Sequence, residues 1–398
     1  MKVRLTLLTA SNSKRRAAIG FIVCLGIVSL FADMTYEGAH SIISPFLLSL
    51  GATAVQVAFI AGLGEMLGQS LRYFSGRLAT RTHAYWAITF LGYAMNVIAV
   101  PALAFAGDWR MVAILVVAER TGKAFRGPAR DVLLSEATQE VGHGFGFGLH
   151  SIMDQTGAVV GPLLMWIGVM RTGHFQSAFL WLGVPALGTL AALTTARFLY
   201  PTQGASARNP NPQAIPRIFW LYTVAAGLLA FGFVDWPLLV YRFAQANLTT
   251  SAEIPLLYAV AMGIEGAMAF VLGRMFDRYG IAILVVGTLV SILSLPLGFL
   301  GGRAAALASV GCWATGVGAQ DACLRSGISQ VVSMNKRGSA FGSFNGVWGI
   351  CWFAGTWAMG LLYSHSLFAL VVLGVVTQLA SAIMFWWLRP QLPSPKEV

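Results

Sequence analysis

Asp33, Tyr36, Glu37 and His40 stand at positions i, i+3, i+4 and i+7 of an otherwise apolar stretch. A helix there gathers two carboxyls, a phenol and an imidazole on one face. Two carboxyl groups one turn apart in a low-dielectric setting hold a proton between them more readily than either does alone, as a proton carrier requires. Further along, Glu119, Arg120, Lys123, Arg126, Arg130 and Asp131 crowd into a short second stretch. Arg120 with Lys123, and Arg126 with Arg130, are spaced to repel on shared helix faces unless acids or an anionic ligand separate them. Two chemistries are open: Asp33 and Glu37 titrate, or the bases of the second stretch hold them permanently. Arg120 and Lys123 are expected to meet an anionic substrate or the Asp33/Glu37 pair. The alternative places Arg126 and Arg130 at the inner interface, where long side chains extend to water, and it is the reading adopted for Arg130.

Glu65, His150, Asp154, Asp235, Glu265, Asp321 and Arg325 complete the set of ionisable groups within apolar segments. His150 with Asp154, and Asp321 with Arg325, are spaced one turn apart, and the latter pair is expected to neutralise itself. Asp33, Glu37, Glu65, Asp154 and Asp235 are the coupling or proton candidates. Tyr36, His40, Arg120, Lys123, His150, Asp321 and Arg325 are the substrate-binding candidates. No catalytic residue, metal site or cofactor is expected. The six His residues are scattered, and Cys24, Cys312, Cys323 and Cys351 read as apolar thiols inside helices. No glycine-rich phosphate loop ending in Lys and Ser/Thr occurs, which argues against a nucleotide-driven pump.

The elements that must hold these groups are membrane spans. The chain is 57% hydrophobic and 10% charged, against roughly 25% charge in a soluble domain, and its mean hydropathy is +0.71. Apolar runs of about 20 residues, the length that crosses a hydrocarbon core, lie near 17–48, 54–73, 84–106, 111–134, 144–170 and 175–197. A second set lies near 218–244, 254–272, 281–300, 304–332, 341–363 and 367–388, which makes twelve candidate spans. The first is longer than a span needs and is expected to tilt or to leave its end around Pro45 outside the core. Met1 to Arg16 reads as a cytoplasmic tail, because its apolar piece is too short for a secretory leader. With both termini inside, sixteen Lys or Arg residues fall on the inner segments and four on the outer, as the positive-inside rule requires. The net charge of +11 is thus dispersed over short loops, and a nucleic-acid partner is not expected. Trp348, Trp352, Trp357, Trp386 and Trp387 read as lipid contacts or interface anchors.

The Pro-rich stretch ending at Pro216 divides the chain into a half of residues 1–200, a cytoplasmic linker of 201–216 and a half of 217–398. Internal similarity supports duplication: Phe31-Ala32-Asp33 with Phe233-Val234-Asp235, Gly76-Arg77 with Gly273-Arg274, and Gly144-Phe145-Gly146-Phe147-Gly148 with Gly338-Ser339-Ala340-Phe341-Gly342. Asp235 mirrors Asp33 in this register.

Gly273-Arg274-Met275-Phe276-Asp277-Arg278-Tyr279-Gly280 resembles the loop motif of the major facilitator superfamily, Gly-x-x-x-Asp-Arg-x-Gly. Gly76, Arg77 and Arg81 stand at the equivalent places of the first half, where Thr80 replaces the usual Asp, so Arg77 or Arg81 is expected to find Asp131 or Glu136 instead. Gly157-Ala158-Val159-Val160-Gly161-Pro162 is similar to the superfamily's antiporter motif. By packing alone, Gly157 and Gly161 permit a close helix neighbour and Pro162 permits a kink. The stretches Asp33 to Gly38 and Arg126 to Asp131 look like a prokaryotic branch of the superfamily, although Ser151 stands where that branch has an acid. The resemblance implies an all-α integral membrane protein of twelve helices in two pseudo-symmetric six-helix halves, with Gly76, Arg77, Arg81, Asp131, Gly273, Asp277 and Arg278 in gating loops. It implies alternating access, not catalysis: proton-coupled efflux of a small organic compound, or movement of an anionic metabolite or metal chelate, with a non-transporting sensor as a third class. The expected partners are the lipid bilayer, a small-molecule substrate and a proton. The expected form is a monomer in the cell (inner) membrane.

Overall fold

A computed structural model of the 398-residue chain describes residues 2–138, 141–200, 216–332 and 337–392. They are nearly all helical, and no strand occurs among them. The first half holds α1 (Lys2–Ser49), α2 (Ala54–Thr82), α3 (Tyr85–Ala102), α4 (Trp109–Thr138), α5 (His143–Thr172), α6 (Phe175–Trp181) and α7 (Gly183–Leu199). The second holds α8 (Arg217–Gly232), α9 (Trp236–Gln245), α10 (Glu253–Tyr279), α11 (Ala282–Ile292), α12 (Ser294–Leu300), α13 (Arg303–Val331), α14 (Arg337–His365) and α15 (Leu367–Leu388). Among the described residues, nine helical segments are long and apolar enough to cross a membrane. The runs expected near 111–134, 304–332 and 341–363 are helical too, but α4, α13 and α14 fall outside that set. Charge in α4 and a glycine-rich, polar composition in α14 lower their apolar character. The expected tail is part of α1, which begins at Lys2, and Pro45 lies inside that helix. Nearly all of the expected linker falls outside the described residues.

Three expected spans are broken, and each break lies close before a proline. Proline has no N–H to give the carbonyl four residues earlier. Pro185, Pro237 and Pro296 thereby withdraw the bonds of Trp181, Phe233 and Ile292, and α6, α8 and α11 end at or next to those residues. Pro128 lies inside an unbroken α4. There the freed carbonyl of Ala124 accepts the Ser75 hydroxyl at 2.7 Å, the kind of substitute partner that a helix in lipid needs.

Close helix contacts repeat between the halves. A Cβ at Gly157 of α5 would strike the Leu30 carbonyl of α1, and one at Gly355 of α14 would strike the Phe231 carbonyl of α8. Gly92 of α3 meets Gly122 of α4, and Gly287 of α11 meets Ala319 of α13. The partners are offset by about 200 residues in every case, the signature of a duplicated unit.

The chain sorts into two compact units, Met1–Ala39 with Leu71–Phe105 and Ala118–Ala207, and His40–Ser70 with Ala106–Val117 and Arg208–Val398. In the first, Phe21, Ile22, Leu25 and Val28 of α1 pack with Tyr85 and Tyr93 of α3 and Leu133 and Leu134 of α4. In the second, residues 40–49 of α1 and 54–70 of α2 pack with helices of the second half. Ser44 Oγ donates to the Pro237 carbonyl at 2.6 Å, and Tyr241 Oη donates to the Ala52 carbonyl at 3.2 Å. Gly62 lies against Phe353, and Gly349 against Met66.

Candidate functional site

Two small-residue contacts build the charged centre of the first unit. Between α1 and α5, Gly157 and Gly161 bring α5 onto the carbonyls of Leu30 and Met34. Asp33 lies between those two α1 residues and Asp154 lies one turn before Gly157, so the contact of the two helices brings their carboxyls into one charged cluster. Between α3 and α4, a Cβ at Gly92 would lie 2.6 Å from the Gly122 carbonyl. That approach sets Asn96 Nδ2 2.9 Å from Glu119 Oε1, and the Arg126 guanidinium 4.5 Å from the Tyr93 ring centre.

The acidic face of α1 packs on the basic face of α4. Glu37 Oε1 lies 3.9 Å from Lys123 Nζ, and Asp33 Oδ1 lies 3.5 Å from Arg126 Nη2. Arg120 Nη1 donates to the Tyr36 hydroxyl, and its Nε lies 3.7 Å from Glu119 Oε2. The Tyr36 ring is shared: Lys123 Nζ sits 3.6 Å from its centre and the Arg120 guanidinium 4.7 Å, both within cation–π range. Arg130 reaches Asp131 at 2.9 Å, Asp154 at 4.0 Å and the Ser29 hydroxyl at 2.9 Å. His150 Nε2 lies 3.3 Å from the same Ser29 hydroxyl. Every base of the row therefore has an acid within 4.0 Å, which offsets the repulsion expected along α4. Desolvating charges in this way is tolerable only with such partners.

Several expectations change. Asp33 and Glu37 each take a base of α4, the second of the two arrangements left open by their spacing. Arg126, with a side chain 3% exposed, is buried on Asp33 and does not reach an interface. Arg130 is likewise held among acids. Asp131 pairs with Arg130, not with Arg77 or Arg81. Gly76, Arg77 and Arg81 belong to the last turns of α2, and Gly273, Asp277 and Arg278 to those of α10, so the motif expected in loops continues the helices. Gly76 packs on Pro128, and Thr80 turns its hydroxyl back to the Gly76 carbonyl at 2.9 Å. Gly280, at φ 65°, ends α10 in the left-handed region that glycine alone enters freely. Asp321 and Arg325 make no ion pair among the described residues. Both are exposed, where charges gain little from pairing.

Glu65 accepts from Gln69 Nε2 at 2.7 Å on α2. His40 leaves the acidic face and lies 5.6 Å, ring to ring, from Tyr258. Asp235 does not copy Asp33: it stands in the break between α8 and α9, and its Oδ2 lies 3.4 Å from Trp352 Nε1. Side chains serve the carbonyls of the break, Gln378 Nε2 to Gly232 at 2.9 Å and Trp313 Nε1 to Val234 at 2.9 Å. Trp348 and Trp352 are buried beside Phe233 and Phe344, whereas Trp357, Trp386 and Trp387 are exposed. Ser29, Asn96 and Tyr93 were not marked by the sequence reading. Asn96, a buried amide in an apolar run, was the one with a visible signal.

A family profile described as Major Facilitator Superfamily matches residues 25–356. A protein of Mycobacterium tuberculosis (strain H37Rv) described as uncharacterized is 35% identical over 386 residues, 93% of each chain. The Multidrug resistance protein MdtH of Photorhabdus laumondii is 23% identical over 242 residues, 58% of each chain. Among solved structures, a mutant of the nucleoside transporter NupG superposes with a TM-score of 0.74 at 14% identity, covering 92% of this chain and 100% of that one. At that identity the likeness speaks for the fold alone.

Proposed function

The chain belongs to the major facilitator superfamily, and from that premise we propose that it is a secondary transporter that couples proton movement to efflux of a small organic compound by alternating access. One observation carries this reading: acids of α1 and α5, two helices long and apolar enough to cross a membrane, are interleaved with bases of α4. An ionised group at mid-bilayer costs roughly 2.5 to 3.5 kcal/mol on insertion scales, so a row of them is kept for use. Each pair has partners near enough to exchange when a proton neutralises the acid. Protonation of Asp33 or Glu37 releases Arg126 or Lys123 and so changes the relative stability of two states, which is how a coupling ion acts. The halves 1–200 and 217–398, joined by 201–216, alternate between two states, and Asp235 is a second candidate acid, in the second half. The chain works as a monomer in the cell membrane with both termini in the cytoplasm, on the distribution of its basic residues. The efflux direction is supported by the Gly157 to Pro162 motif and by the likeness to a protein named for multidrug resistance.

A second reading, transport of an anionic metabolite or metal chelate, draws on Lys123. Its side chain is 26% exposed, the most accessible base of the ion pairs on α1 and α4, so an anion can compete with Glu37 for it. Counterflow in proteoliposomes with a mixed metabolite and drug panel, under imposed pH gradients, separates the two and distinguishes both from a non-transporting sensor. With the substrate in hand, Asp33→Asn and Glu37→Gln are expected to abolish the dependence of flux on the pH gradient. Unchanged dependence in both variants would end the coupling proposal. Arg120→Ala is expected to leave the affinity of a neutral or cationic substrate within a factor of a few and to weaken that of an anionic one.

A further inference from the structure

We infer that a cavity of about 360 Å³ in the second unit is a binding site for a phosphate group, with Arg242 of α9 as its anchor. The inference stands apart from the coupled reading and uses none of the ion pairs of α1 and α4. The walls of the cavity come from four helix ends: the starts of α2 and α15 and the last turns of α9 and α14. With the termini in the cytoplasm, as proposed, all four ends lie on the outer side, where four bases stand against sixteen inside.

Arg242 supplies the charge of the cavity, and no acid lines it. Arg303, another base expected outside, takes Glu253 at 2.6 Å, whereas Arg242 makes no ion pair among the described residues. The Nε–H of Arg242 is buried without a hydrogen-bond partner. A donor left unmade in this way is destabilising, and a ligand that accepts from the guanidinium fork relieves it. The groups around it donate as well. Tyr363 gives its hydroxyl hydrogen to Gln245 Oε1, which leaves the Gln245 amide N–H groups to donate elsewhere. At the start of α2, Thr53 and Gln56 cap each other's N–H groups at 2.8 and 3.3 Å. The N–H of Ala54, in the wall between them, has no partner within its helix, and that of Leu367, the first residue of α15, is placed alike. The ends of α9 and α14 have the opposite polarity, but the carbonyls of Arg242 and Leu362 already accept from the Ala246 and Ser366 N–H at 3.0 and 2.7 Å. The guanidinium therefore sets the sign of the site. Donors that converge from several helix ends suit the tetrahedral oxygens of a phosphate better than the two coplanar oxygens of a carboxylate. Such a group arrives either as a free solute or as a lipid headgroup. Thr53 and Ala54 come from the first half of the sequence and the other groups from the second, so an occupied cavity favours the arrangement that holds them together.

Thermal unfolding of the full chain in a maltoside detergent tests the site. Exchange of chloride for inorganic phosphate at constant ionic strength is expected to raise the melting temperature in a saturable way, and exchange for acetate to leave it unchanged. Arg242→Gln is expected to abolish the phosphate-dependent shift, whatever it does to basal stability. Arg242→Lys keeps the charge without the fork and is expected to need about tenfold more phosphate for the same shift; it decides the matter should Arg242→Gln fail to fold. Arg303→Gln, at the paired outer base, is expected to respond as the unaltered chain does. In a second arm, phosphatidylglycerol is added to the micelles in phosphate-free buffer. A shift with free phosphate that is lost in Arg242→Gln supports a solute site, and a shift with the lipid alone that is lost in the same variant supports a headgroup site. A shift of equal size in Arg242→Gln is a general salt effect and overturns the proposal, as does silence in both arms. Acetate as effective as phosphate refutes the assignment of the ligand as a phosphate.

Discussion

Arg126 is the most deeply buried base of the α4 row, and its partner is Asp33. Removing one member of a buried ion pair strands the other, at about 3–5 kcal/mol. Arg126→Ala is therefore expected to lower thermal stability sharply in detergent. The double variant Arg126→Ala with Asp33→Asn is expected to recover a good part of the loss, since no stranded carboxylate remains. If the double variant is as unstable as the two single losses added together, the pair is not an energetic unit. This partnership was only half legible in sequence. That Asp33 and Arg126 are charged and lie in apolar segments is plain from composition and window. Which base meets which acid depends on the rotation of α1 against α4, and Gly92 and Gly122 set the companion contact of α4 with α3. Ser29 and Asn96 escaped notice because a small hydroxyl or one amide in an apolar helix carries no sign of its partner.

Helices of this chain are positioned by what their glycines allow. A methyl at Gly92 would lie 2.6 Å from the Gly122 carbonyl and 2.7 Å from the Arg126 amide, whereas one at Gly263 on α10 would meet nothing within 4 Å. Gly92→Ala is expected to destabilise by about 1–3 kcal/mol through overpacking, and to disturb Arg126 as well. Gly263→Ala is expected to be neutral or to stabilise by about 0.5–1 kcal/mol through helix propensity. Equal melting temperatures for the two variants would contradict close packing at Gly92. Element identity was largely readable, because long apolar runs in a membrane have few structures open to them. The breaks were less so. Pro237 removes the bond to Phe233 and α8 stops there, yet Pro128 does the same to Ala124 and α4 continues. In α4 the hydroxyl of Ser75, on another helix, takes up the Ala124 carbonyl. No window along one helix contains that information.

The duplication visible in sequence reappears as matched glycine contacts in the two halves, but the compact units cut across the halves, dividing α1, α2 and α4 within their lengths. A repeat records ancestry, whereas the division into compact units follows which helix segments pack together, so the first is written in the sequence and the second is not. Residues 54–70 of α2 lie in the same unit as α14, and small residues line their contact: Gly62 faces Phe353 and Thr356, Gly349 faces Met66 and Gln69, and Gly360 faces Ala58. Small residues let two helices approach closely without interlocking side chains, which suits a contact that must part and re-form. If the transporter alternates as proposed, this contact opens in every cycle. A Cβ at Gly62 would lie 3.3 Å from that of Thr356, a few tenths of an ångström short of the about 3.5–4.5 Å of a disulfide. Cysteines at Gly62 and Thr356, in a background with Cys24, Cys312, Cys323 and Cys351 replaced by alanine, are expected to cross-link on mild oxidation and to stop flux. Reductant is expected to restore it. The same pair left reduced controls for the substitutions themselves. Full flux in a fully cross-linked preparation would mean that α2 and α14 stay together throughout the cycle, and the alternation of halves would then have to be abandoned for a motion elsewhere in the molecule.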